Sequence, residues 1–198
     1  MDYFQQSAKD SASVNFEMES KHDFVFEKTD YSITEADKFN ISEDEIIDMA
    51  LKYAYELSPI SDLYVVDIGL VSRKELNADG STGDIEILTC EIIAVPMIND
   101  LPIYSQDMSL HVQFDNEDVI IAECYLPTNL DSFRVSDDTN FSEDILQNNV
   151  LTAFDNSEVR QAYYITEDHE LIPIYIAECL TNEDVKIFKA DSGTEITF

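Results

Sequence analysis

The chain has 198 residues, 44% of them hydrophobic, and carries 42 Asp and Glu against 11 Lys and Arg, for a formal net charge of −31 and a pI near 4.1. That is apolar enough for a packed core and long enough for one large domain or two small ones. The charge repels nucleic-acid phosphates and anionic lipid headgroups, which excludes direct backbone binding of the counterion-release kind.

Taken in chain order, residues 1–38 read as an N-terminal extension. Residues 1–12 are expected to fray. Val14, Phe16 and Met18 then alternate with polar residues, as do Phe24 and Phe26 beyond a polar turn at 19–23, which makes a candidate β-hairpin. A first α+β unit is expected over 39–127. Ser42, with Glu45 three positions on, forms a capping box. Ile46, Ile47, Ala50, Leu51, Ala54 and Leu57 recur at helical spacing, so a helix is predicted over 43–57, ended before Pro59. The period then switches to two, predicting strands at 63–70, 84–95, 101–106, 108–114 and 119–126, an antiparallel meander with turn residues at 77–80, 99–100 and 115–118. A linker rich in Asp, Ser and Thr covers 128–139. A second α+β unit fills 140–198: a helix over 143–155 with Phe141 and Leu146 as a hydrophobic staple, then strands near 159–166, 171–180 and 185–190.

Two phrases occur twice. Asn40-Ile41-Ser42-Glu43-Asp44-Glu45-Ile46 is echoed by Asn140-Phe141-Ser142-Glu143-Asp144-Ile145, and Leu101-Pro102-Ile103-Tyr104 by Ile172-Pro173-Ile174-Tyr175. The expected fold class is therefore α+β, two diverged copies of one unit in which a helix packs on an antiparallel meander. Pro102 and Pro173 belong at strand starts or edges, because proline cannot donate to a ladder.

Signatures of chemistry are missing. No His-Glu-x-x-His helix or Gly-x-Ser-x-Gly elbow occurs, and the chain's 4 glycines leave no phosphate loop. His22, His111 and His169 are dispersed, and carboxylate pairs are too common to mark any one of them. No catalytic, cofactor-binding or metal residue is assigned, and the chain reads as not an enzyme. Cys90, Cys124 and Cys179 lie in apolar strand-like runs at no metal spacing and read as buried free thiols, one disulfide with a leftover thiol being the alternative. The stretch from Glu75 to Glu86 places Glu75, Asn77, Asp79 and Glu86 at positions 1, 3, 5 and 12 of a calcium loop, with Gly80 at 6. Position 1 is not Asp, position 8 is Thr82 and the flanks read as strands, so an Asn-Ala-Asp-Gly hairpin loop is the preferred reading. No 18-residue apolar run and no signal-peptide pattern is present, so the chain reads as cytosolic or as a mature fragment.

The closing segment carries a resemblance. Gln161-Ala-Tyr-Tyr-Ile, Glu170-Leu-Ile-Pro-Ile-Tyr-Ile-Ala and Asp184-Val-Lys-Ile-Phe-Lys-Ala-Asp-Ser-Gly-Thr-Glu-Ile resemble the end of a PepSY-type domain, departing from its Ala-Asp-Thr-Gly-Glu-Ile turn at Ser192 and at the inserted Thr194. With Asn99-Asp-Leu-Pro-Ile-Tyr, the first unit resembles the companion repeat of two-lobed relatives, among them YycH/YycI-like extracytoplasmic regulators. The resemblance implies a PepSY/cystatin-like fold. It also implies a non-enzymatic, extracytoplasmic module without cofactors, which restrains or senses a protein partner such as a protease or a membrane sensor. The acidic balance makes a partner with a basic face the natural one. The alternative is an acidic intracellular interaction protein, for example a nucleic-acid mimic that inhibits a DNA-binding protein.

Overall fold

The computed structural model describes residues 4–5, 13–31, 38–76, 82–105, 108–130, 133–135, 141–154, 156–166, 170–181 and 184–197. The chain divides into two compact units: Met1–Pro96 with Asp107–Thr128, and Met97–Gln106 with Asn129–Phe198.

In the first unit the strands are β1 (Val14–Ser20), β2 (Asp23–Lys28), β3 (Leu63–Leu76), β4 (Thr82–Ile98, all but its last residues), β6 (Leu110–Phe114) and β7 (Val119–Tyr125). Antiparallel pairing places them in the order β1-β2-β7-β6-β4-β3. Alternation sends Phe16, Phe24, Phe26, Cys90, Ile92, Ala94, Leu110, Val112, Phe114, Ala122 and Cys124 to one face. Helix α1 (Glu43–Leu57) covers that face with Ile46, Ala50 and Ala54. The start of α1 is as predicted: Ser42 Oγ accepts from the Glu45 amide, and the Glu45 carboxylate reaches back to the Ser42 amide at 2.9 Å. Phe4 completes this core, 1% exposed and stacked on Phe26 with centroids 4.4 Å apart. The expectation of fraying over 1–12 fails at Phe4, because an aromatic side chain fills space among Phe16, Phe24 and Phe26; residues 1–3 and 6–12 lie outside the described residues.

The second unit contains β5 (Leu101–Tyr104), β8 (Arg134–Val135), β9 (Ser157–Ile165), β10 (Glu170–Cys179), β11 (Val185–Lys189) and β12 (Glu195–Ile196). Asn99 and Asp100, at φ 51° and 63°, turn the end of β4 into β5, the left-handed pair that a tight hairpin needs. β5 pairs parallel to β9, and β8 parallel to β10; the β9-β10-β11-β12 pairings are antiparallel. β10 is buried over most of its length, as a strand with apolar neighbours on both faces must be.

The expected α+β class, two helix-on-meander units, is overturned: among the described residues the fold is mostly mixed sheet with two short helices. Where 143–155 was expected to be helical, α2 is only Glu143–Ile145, followed by one π turn over Leu146–Val150 in which the Leu151 amide donates to Leu146 O. Local chemistry explains the stop. Asn148 Nδ2 donates to Asp144 O and Thr152 Oγ1 donates to Asn148 O, side-chain competition with the backbone that disfavours a helix interior. The Pro-Ile-Tyr phrases are not distributed one per unit either. Both flank β9, with Tyr163 opposite Ile103 on one side and Pro173 on the other. Pro173 is inside β10 rather than at its start. It is tolerated because, beyond the Ile174–Lys189 pair of β10 and β11, the Ala190 amide still donates to Pro173 O at 3.0 Å while the Ala190 carbonyl accepts from the Ser142 amide at 3.3 Å, so the N–H that proline lacks leaves no acceptor unfilled there.

Candidate functional surface

The second face of the first-unit sheet is open. Pairing register aligns two rows across the strands: Glu17, Val25, Glu123, His111, Ile93, Asp67, and beside them Asn15, Glu27, Ile121, Gln113, Glu91, Gly69. Every residue of both rows is at least partly exposed, whereas the intervening residues of β2, β6 and β7 are buried. Period two makes this division, one face for the core and one for solvent. The result is a checkerboard in which each β-branched aliphatic residue has acidic neighbours. Neither row contains Lys or Arg.

His111 is the basic group at its centre. Its Nε2 lies 2.9 Å from Glu91 Oε1 and its Nδ1 3.7 Å from Glu123 Oε2. No directed hydrogen bond accompanies the Nε2 contact. Both carboxylates stay open to solvent, with 41% and 42% of their side chains exposed. At the end of the rows Tyr125 pairs with Asp23. Its phenol is pushed above the ordinary range, first by desolvation and then by Glu123, Asp23 and Glu17, so these acids act on one spot of the surface.

The other residues weighed from sequence are placed elsewhere. His22 is in the β1–β2 turn, where its carbonyl accepts from the Leu126 amide. His169 and residues 77–81 of the calcium-like stretch lie outside the described residues. Glu86, which would be position 12, is bonded by Lys38 Nζ at 2.6 Å and Arg73 Nη2 at 2.8 Å. Those bonds, Lys38 first, hold its carboxyl below the usual range, and they commit the side chain to structure. Cys90, Cys124 and Cys179 are free and buried, and burial pushes the Cys90 and Cys124 thiols up to about 11. Among the described residues no His, Cys, Asp and Glu group has metal-binding geometry, and no helix is long and apolar enough to cross a membrane. Sequence reasoning missed the checkerboard. Its signal was the odd-numbered polar positions of each strand, but which strands lie side by side was not legible.

Fold and surface together define a strand-dominated module with an acidic open sheet face. No family model and no curated protein matches the chain. A solved structure does: the Bacillus megaterium YpeB C-terminal domain, with a TM-score of 0.56 and 16% identity over 99% of this chain and 95% of that one. At that identity the likeness shows the fold alone.

Proposed function

We propose that the protein is a non-enzymatic binding module that restrains or senses a protein partner with a basic face, and that it works outside the cytoplasm. The observation that carries this reading is the open face, where Glu17, Glu27, Glu91, Glu123 and Asp67 are presented on rigid strands with only His111 among them. Strand-held carboxylates present a fixed negative field at low entropic cost, and such a field speeds encounter with a cationic surface. The PepSY-like closing segment and the likeness in fold to the YpeB C-terminal domain support the regulatory class. The membrane sensor or protease, and the extracytoplasmic setting, come from the sequence resemblance alone.

Affinity capture from an envelope fraction tests the proposal. A discrete partner with a basic face is expected, recovered less as salt rises from about 0.05 to 0.3 M, where screening shortens from roughly 14 to 6 Å. Recovery of a nuclease or repressor that competing DNA displaces would establish the mimic alternative instead. Steady turnover abolished by one Asp or Glu substitution would overturn both.

A further inference from the structure

We infer that the open face of the first-unit sheet takes an extended Lys- or Arg-rich segment of another protein, laid across the strands; this rests on the binding-module reading above. The spacing supports it. Glu27 on β2 and Glu91 on β4 stand three strand intervals apart, as do Glu123 on β7 and Asp67 on β3, which is about 14 Å at about 4.8 Å per interval. Four residues of extended chain cover about 13 Å, and side chains at i, i+2 and i+4 share one side. Cationic residues at i and i+4 thus reach successive carboxylates of a row. The residue at i+2 falls over Ile121 and Gln113 in one row, and over His111 and Ile93 in the other.

The aliphatic squares select the kind of cation. Lys and Arg carry apolar stems that lie on Val25, Ile93 and Ile121 while their heads meet the carboxylates. A small inorganic cation has no use for those residues, and a second copy of this chain, at −31, is repelled.

Titration with octalysine in about 50 mM NaCl tests this directly. The triple variant Glu27→Gln/Glu91→Gln/Glu123→Gln should bind about tenfold more weakly, while Asp48→Asn/Asp62→Asn/Asp191→Asn, which removes equal charge elsewhere, should stay within about twofold. Equal weakening by both sets would reduce the effect to net charge and overturn the site. Val25→Thr/Ile121→Thr keeps the charge and should weaken octalysine by about threefold; unchanged binding would overturn the role of the stems. Thermal melts of each variant confirm folding. A captured partner held equally by wild type and the Glu triple variant overturns this site and leaves the broader reading standing. Octalysine binding lost in the Glu triple variant, with no protein partner captured, supports the site and sinks that reading.

Discussion

At the scale of single residues, Phe4 and the buried thiols make the sharpest demands. Phe4→Ala removes a side chain in contact with Phe16, Phe24 and Phe26 and should cost about 3 kcal/mol in urea unfolding. A loss under about 0.5 kcal/mol would show that the N-terminal contact contributes nothing. Cys90 and Cys124, pushed up to about 11 by burial, should react with a thiol reagent at pH 8 only on the timescale of opening, and quickly in denaturant. Their folded values exceed the unfolded value of about 8.5. Their stabilising contribution is therefore complete below that pH and is lost as pH rises through about 11. A melting temperature that is flat from pH 8 to 11 would contradict this. The burial of the cysteines was legible, since each interrupts an apolar run. That of Phe4 was not, because its neighbours Tyr3 and Gln5 form no periodic pattern.

Among elements, the two Ser-Glu-Asp starts behave differently. Ser42→Ala opens the capping box of a 15-residue helix and should cost about 1 kcal/mol. Ser142→Ala caps only three α-helical residues, through a 3.4 Å contact, and should cost less. Equal losses would argue against the π turn as the reason. The Ser42 backbone amide first, and then its hydroxyl, hold the Glu45 carboxyl below its ordinary value, and Ser42→Ala removes only the hydroxyl's share. That contribution is present above the unfolded pKa and is lost as pH falls through the folded one, so wild type should lose stability in acid more steeply than Ser42→Ala. The same sign applies to Glu86, bonded by Lys38 and Arg73. Helix α1 was legible to the residue because capping and periodicity agree locally. The second helix was overestimated because Asn148 and Thr152 act through side-chain bonds that no apolar period displays.

For the whole molecule, a charge of −31 leaves most carboxylates unpaired. Raising NaCl from about 0.05 to 0.5 M should raise the melting temperature through screening of self-repulsion. A midpoint that does not move would mean that local pairing offsets the field. An average rise of carboxylate pKa values through crowding is not what the two clearest cases follow: Glu45 and Glu86 both move down under local hydrogen bonds.

By itself the sequence determined the alternation of the longer strands, helix α1 and the sign of the surface field, since all of these arise within a few residues of one another; β8 and β12, two residues each, were not among the expected strands. Tertiary structure alone decided which strands are neighbours. It brought Glu17, Glu27, Glu91, Glu123 and Asp67 onto one face, and it placed both Pro-Ile-Tyr phrases against β9. Pairing partners are chosen by backbone ladders and core packing between segments as far apart in sequence as Asp23 and Tyr125, and the local pattern of a strand is the same whichever neighbour it finds.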